Sequence, residues 1–413
     1  MKMTDTQHMK MSSLGLIPND WEVLSLGELG EVKMCKRVMK SQTLAKGDIP
    51  FFKIGTFGGT PDAYISRDLF VDYRSRFSYP KKGDILLSAA GTIGRTVIFD
   101  GQDSYFQDSN IVWIDNNENK VLNCFLYYCY KVMNFHTENG GIVVRLYNEN
   151  LRNTTFAAPK SLDEQRCIAE ALSKIDKLIA SFGEEISKKK QIREGLIQQL
   201  LTGKVRLPGF HSEWIPKNLG KSATIKARIG WQGLTTKEYL NSGEYYLITG
   251  TDFKDGRIDW KNCHFVTKDR FEQDPYIKIR EHDVLISKDG TIGKVAYLDT
   301  IPGPGTLNSG VFVVRSKDKD ISQRYLAKVF ISKYFDDFID SIVAGSTIVH
   351  LYQKDIVKFD FMIPPSIEEQ NQICDFIEGV DNEILNIESK RDKYASIKQG
   401  MMQELLTGKT RLI

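Results

Sequence analysis

The residues that look most reactive at first inspection fail the tests that catalysis would set them. Gly408-Lys409-Thr410 resembles the end of a phosphate-binding loop, in which backbone N–H groups cradle a phosphate and the lysine reaches its outer oxygens. That loop needs a glycine five positions before Gly408, where Gln403 stands, and it opens a helix rather than closing one. Gly91-Thr-Ile-Gly94 and Gly290-Thr-Ile-Gly293 lack the spacing of a dinucleotide loop and suit a hairpin turn. Neither HExxH nor GxSxG occurs. Pro364-Pro365 lacks the preceding Asp or Asn and the following aromatic of an amino-methyltransferase. Asp84 and Asp283 read as turn residues rather than working acids. The cysteines (Cys35, Cys124, Cys129, Cys167, Cys263, Cys374) show no CxxC spacing, and the histidines are scattered, so no metal site is expected. Sparse cysteines fit a reducing cytoplasm.

What remains is a set of basic and polar residues on loops and strand ends. In the first half these are Lys33, Lys36, Arg37, Lys53, Arg95 and Arg145; in the second they are Lys226, Arg228, Lys288, Lys294, His350 and Lys354. Lysine and arginine in such places contact phosphates, and forked polar side chains read base edges. A solvated surface charge is the competing reading for each one taken alone. Tyr147 and Tyr352 sit two residues after Arg145 and His350 and are suggestive as a pair, although each ring taken alone is expected in the core. The net charge is only +3, so any nucleic-acid surface must be local.

The elements that would position these residues occur twice. Gly195 to Leu207 (GLIQQLLTGKVRL) and Gly400 to Leu412 (GMMQELLTGKTRL) are identical at 9 of 13 positions, at an offset of 205. GDILLSAAGTIGRTVIFD (Gly83 to Asp100) matches HDVLISKDGTIGKVAYLD (His282 to Asp299) at offset 199. Trp21, Leu26 and Gly27 match Trp214, Leu219 and Gly220; Ser161, Glu164 and Gln165 match Ser366, Glu369 and Gln370. VRLY (Val144 to Tyr147) matches VHLY (Val349 to Tyr352). The period is too long for a solenoid and reads as a duplicated domain plus helix. A chain of 413 residues, 41% apolar and 26% charged, suits two ordinary globular domains. Short strands are predicted at Ile85–Leu87, Thr96–Phe99, Ile111–Ile114, Tyr245–Thr249, Val284–Ser287 and Val311–Arg315. Helices are expected at Leu122–Met133 and Gln323–Asp340. Each globule is therefore α/β or α+β. No apolar stretch is long enough for a membrane span. With Met1, Met3, Met9 and Met11 as possible starts, the first dozen residues are expected to be mobile.

Each globule ends at proline, Pro159 or Pro364-Pro365, and a Ser-x-x-Glu capping box follows at Ser161–Glu164 and Ser366–Glu369. Apolar residues then recur in alternating steps of four and three: Ile168, Leu172, Ile175, Ile179, Phe182 and Ile186, then Lys189 and Arg193, then Leu196 and Leu200. The second run is Ile373, Ile377, Val380, Ile384 and Ile387, then Arg391, Tyr394 and Lys398, then Met401 and Leu405. That spacing predicts two coiled-coil helices of roughly 60 Å, stopped at Gly203 and Gly408. Each is the other's nearest partner, in antiparallel pairing; a parallel homodimer seam is the alternative. Ile192, Ile197 and Leu201, mirrored by Ile397, Met402 and Leu406, widen the apolar face beyond one partner's reach. Gly195 and Gly400 interrupt both helices at the same register, either to admit another chain or through simple tolerance.

The chain resembles the specificity subunits of type I restriction–modification enzymes, essentially end to end. The residues that carry the resemblance are the helix starts Ala158-Pro-Lys-Ser-Leu-Asp-Glu-Gln165 and Pro364-Pro-Ser-Ile-Glu-Glu-Gln370, the LLTGKxRL exits and the paired hairpins, with Ala158 where the family usually has proline. The resemblance implies an α+β chain with an internal pseudo-twofold repeat: target recognition domains at 1–158 and 208–363, joined by antiparallel coiled-coil spacers at 159–207 and 364–413. Each domain would read one half of an asymmetric bipartite site in double-stranded DNA. The helices would set the gap and bind two modification subunits through Ile192, Gly195, Ile197, Leu201, Ile397, Gly400, Met402 and Leu406. No catalysis and no cofactor are implied for this chain: S-adenosylmethionine, ATP and magnesium would serve the modification and restriction subunits. The competing classes are a lone enzyme, a coiled-coil adaptor and a DNA-binding regulator outside a restriction complex.

Overall fold

The computed structural model describes residues 2–3, 9–135, 145–230, 233–343 and 350–412. The chain divides into two compact units, Met1–Gly183 with Ser389–Ile413, and Glu184–Glu388.

The first unit is built on a four-stranded antiparallel sheet in the order Val32–Met34, Ile111–Ile114, Ile85–Ser88, Thr96–Ile98. Its central strands alternate with period two and are buried on both faces. Ile85, Leu87, Val112 and Ile114 face one core with Trp21, Phe125 and Ile168, whereas Leu86, Ile111 and Trp113 face another with Phe51, Phe70 and Tyr105. A three-stranded sheet sets Tyr105–Phe106 parallel to Ile49–Phe52 and Tyr64–Ile65 antiparallel to it. The Thr155–Pro159 strand pairs with Trp21–Ser25 and leads into the first long helix.

The second unit repeats the plan. Its four-stranded sheet runs Ala223–Lys226, Val311–Ser316, Val284–Ser287, Val295–Tyr297, and its three-stranded sheet runs His264–Val266, Tyr245–Ile248, Gly305–Leu307. Asp360–Ile363 pairs with Ile215–Asn218. The expected hairpins and strands are all present, and Asn123–Tyr130 is helical. The single helix expected over Gln323–Asp340 is instead two, Gln323–Phe330 and Lys333–Val343. Buried Ser332 makes the break: its hydroxyl donates to the Val329 carbonyl at 2.6 Å, and its own carbonyl receives Phe335 N–H. The leading residues also depart from expectation, because Met9–Ser12 forms a hairpin with Gly15–Pro18 and Lys2–Met3 pairs with Thr410–Arg411. Residues 1 and 4–8 lie outside the described set.

The long helices span Leu162–Leu201 and Ile367–Leu405. Each unit holds half of each helix, and the halves are antiparallel. In the first unit Asp176 meets Lys398 and the Phe182 and Tyr394 rings lie 5.7 Å apart. In the second, Lys189 meets Glu383 at 2.5 Å and Arg193 pairs with Asp381. The seam thus closes within one chain, and Lys189, Arg193 and Lys398 are matched by acids on the opposite helix.

Ser161 and Ser366 cap their helices, accepting from the N–H groups of Glu164 and Glu369 at 3.3 and 3.4 Å. The reciprocal half of the expected capping box is absent, because both glutamates are taken elsewhere. Glu164 is buried and pairs with Arg411, beyond the end of the other helix; Glu369 pairs with Arg206 in the same way at 2.7 Å. Gln165 and Gln370 each bind three backbone groups: Leu122 N–H, Lys120 O and Pro159 O in one unit, Ser322 N–H, Asp320 O and Pro364 O in the other. Gly203 and Gly408 end the helices at φ +70°, where a side chain is strained, and a Cβ on Gly408 would collide with Pro18.

Candidate nucleic-acid interface

In each unit one serine organises the hairpin turn. Ser88 donates to the Thr92 carbonyl at 2.5 Å and accepts from Arg95 N–H at 2.9 Å. Ser287 donates to Thr291 O at 2.6 Å and accepts from Lys294 N–H at 2.9 Å. The glycines at both ends of each turn have positive φ, which the tight reversal requires.

A second segment is laid against each turn. Leu146 N–H donates to Ala89 O and Leu351 N–H to Lys288 O, at 2.8 and 2.9 Å. Buried Leu146 and Leu351 anchor these segments, so the flanking residues point outward: Arg145 and Tyr147 in one unit, His350 and Tyr352 in the other. The tyrosines are 55% and 48% exposed, which overturns the expectation that each is a core ring. The His350 and Tyr352 rings lie 4.5 Å apart, and Lys354 Nζ sits 5.3 Å from the Tyr352 centroid.

The remaining candidates divide by environment. Arg95 is exposed and donates to Phe57 O at 2.9 Å, tying the loop after Ile49–Phe52 to the hairpin. In that loop Lys53 pairs with Asp62 at 2.8 Å. Lys36 and Arg37 are exposed; Lys36 Nζ lies 5.0 Å from the Phe77 centroid and Arg37 pairs with Asp108 at 2.8 Å. Lys33 is half-buried against Asp115 at 2.5 Å, and that hydrogen bond raises its pKa. Lys294 is exposed, and Lys226 lies 5.5 Å from the Tyr276 centroid. Lys288 is half-buried over Phe312, and burial holds its pKa below the ordinary lysine range, opposed by neighbouring Asp289.

Arg228 departs from expectation. It is 2% exposed, and its guanidinium donates to Leu307 O, Thr306 Oγ1 and Gln273 Oε1. Those bonds consume the donors a phosphate would need, so Arg228 braces the sheet instead. Asp84 and Asp283 are turn residues, accepting from Lys81 and Arg280 N–H at 2.7 and 2.8 Å.

The helix faces also need correction. Ile197, Leu201 and Leu406 are buried, and Met402 is half-buried against a core. The unit's own globule takes them in, because Ile197 and Leu201 share a buried core with Phe335 and Leu351 in one unit, and Leu406 with Trp21 and Phe125 in the other. Ile192 (58% exposed) and Ile397 remain open, with empty space beside Gly195 and Gly400.

Asp289 was not anticipated. It stands in the second turn, where the first has Ala90, and its carboxylate bonds His350 Nδ1. The signal lay in comparing AAGTIG with KDGTIG. Together these turns present exposed cations, an exposed ring and, in one unit, a carboxylate, a set suited to phosphates and base edges.

A family model described as "Type I restriction modification DNA specificity domain" matches residues 18–191 and again 213–398. A putative type I restriction enzyme specificity subunit of Haemophilus influenzae, S.HindORF215P, is 57% identical over 163 residues, 40% of this chain and 42% of that protein. The putative MjaX specificity subunit of Methanocaldococcus jannaschii is 23% identical over 98% of this chain and 97% of its own length. Among solved structures, the type I restriction–modification S subunit from M. genitalium aligns with a TM-score of 0.57 at 15% identity, covering 96% of this chain and 97% of that one. A chain from a study of complex assembly and conformational transition of the type I R-M system aligns with a TM-score of 0.60, also at 15% identity, over 95% and 99%. These two likenesses concern the fold.

Proposed function

The chain belongs to the type I restriction–modification DNA specificity family, as a specificity subunit with two target recognition domains, and on that premise we propose that each domain reads one half of an asymmetric bipartite site in double-stranded DNA. The domains are 1–158 and 208–363; the spacers 159–207 and 364–413 set the unread gap. The observation that carries this reading is a repeated scaffold with unlike side chains. Both units present the same serine-locked turn, flanking segment and exposed tyrosine (Tyr147, Tyr352), but one bears Ala90, Arg95 and Arg145 and the other Asp289, Lys294 and His350. One scaffold with two sets of contacts suits two different half-sites.

The role of the chain is non-catalytic: it selects the sequence. Two modification subunits dock on the spacer helices, with Ile192, Gly195, Ile397 and Gly400 as the open positions, and restriction subunits join them. Methyl transfer from S-adenosylmethionine and ATP- and magnesium-dependent cleavage belong to those subunits, in the cytoplasm. No helix of the described residues is long and apolar enough to cross a membrane.

Methylome mapping in a host carrying this chain with its modification subunit tests the reading. The expected result is one bipartite motif with unlike halves and a fixed gap. Removing a matched heptad from each spacer changes the gap and leaves the halves intact. A continuous motif, altered halves, or methylation by the chain alone would overturn it.

A further inference from the structure

We infer that Asp289 is a specificity-determining residue of the second recognition domain and that it accepts a hydrogen bond from a base amino group, cytosine N4 above all. The inference rests on the proposed function and deepens it.

Asp289 sits on the second serine-locked turn with its side chain 45% exposed. Its Oδ1 is held by His350 Nδ1, and the His350 ring packs against Tyr352. Among the described residues no donor reaches Oδ2. Buried Gly310 packs beside that oxygen, and a Cβ there would lie 3.3 Å from it, so a side chain at this position would crowd the carboxylate. Gly250 borders the Asp289 backbone on another side, at 3.5 Å from its carbonyl oxygen to an added Cβ. The carboxylate is therefore fixed by one oxygen, and its side chain stays 45% exposed with no donor among the described residues on the other.

A carboxylate in a surface that meets DNA is repelled by phosphates and can only accept, so it is stabilised there by a base-edge donor. In the major groove those donors are cytosine N4 and adenine N6. The adenine amino group has N7, an acceptor, beside it, which repels a carboxylate; cytosine has no acceptor at that place. The first unit cannot make this contact, because Ala90 is buried and bridges to Arg145. The feature therefore belongs to one half-site only.

The test uses the full chain assembled with its modification subunits, comparing wild type, Asp289→Ala and Asp289→Asn by methylome mapping and by selection from randomised duplexes. Asp289→Ala is expected to relax one base pair of the half-site read by the second unit by about tenfold or more. Asp289→Asn, which offers a donor in place of the free acceptor, moves that position toward a purine, whose N7 accepts. The other half-site, the gap and the melting temperature stay as in wild type. Unchanged preference in both variants at every position overturns the assignment while the bipartite reading stands. A change confined to the first half-site also overturns it. A wild-type complex without any bipartite preference overturns both.

Discussion

Arg193 on the first long helix and Asp381 on the second form a partly buried ion pair, and Lys398 with Asp176 repeats it with both partners displaced by 205 residues. Three of the seam's basic positions are thereby explained, since Lys189, Arg193 and Lys398 each meet an acid on the other helix, whereas Arg391 pairs with Asp392 beside it. Combining Arg193→Gln with Asp381→Asn in a double-mutant cycle on melting should give a coupling of about 0.5–3 kcal/mol. A coupling indistinguishable from zero would remove the pair from the account of the seam.

The two locks at the helix ends should matter more, because Glu164 and Glu369 are buried carboxylates. Arg206→Ala leaves Glu369 unpaired, and a loss of about 3–5 kcal/mol is expected in chemical denaturation. Arg411→Ala should act similarly through Glu164 and also release Asp20, whose pKa the arginine holds below the ordinary carboxylate range. Denaturation midpoints close to wild type for both variants would contradict this.

Much of this was legible in the sequence and some was not. Repeat, hairpins, capping serines and helix-stopping glycines each depend on local residue types or a short period, so they could be read directly. Pairing Glu164 with Arg411 joins residues 247 apart in sequence, and no local pattern encodes it. Periodicity placed Ile197, Leu201 and Leu406 on an apolar face but could not say that the unit's own globule covers them. For the candidate site, residue type could not separate buried Arg228 from exposed Arg95, nor show that Tyr147 and Tyr352 project outward, because a buried leucine between their neighbours decides the direction.

That distinction makes a contrast in DNA binding. Lys36→Ala with Arg37→Ala should weaken binding of the assembled complex and flatten its salt dependence, by about 0.9 in the log–log slope for each phosphate no longer neutralised. Arg228→Gln should lower stability and leave the slope alone, because its guanidinium faces Leu307 and Thr306. Titrations at several salt concentrations check both; an unchanged slope in the double variant would take Lys36 and Arg37 out of the interface.

Acid should loosen one corner of the second unit first. Glu238 accepts from Thr235 N–H and hydroxyl and pairs with Arg270, and these bonds lower its pKa from 4.5 to about 2. A depressed acid pKa stabilises the fold above the unfolded value, and that contribution is lost as pH falls from about 4.5 towards 2. Hydrogen exchange at the Thr235 amide should accelerate across that window in wild type and lose its pH-dependent step in Glu238→Gln. A wild-type profile without extra acceleration there would argue against it.

Leu405 and Leu406, close to the end of the chain, complete the core around Trp21, Phe125 and Ile168, whereas the second unit is one uninterrupted stretch from Glu184 to Glu388. Synthesis therefore runs against the usual order of maturation, in which the domain made first folds first. The trailing domain has all of its own sequence in hand while the leading one still waits for its closing residues. A nascent chain stalled shortly before Leu405 would carry a finished second reader and an open first one.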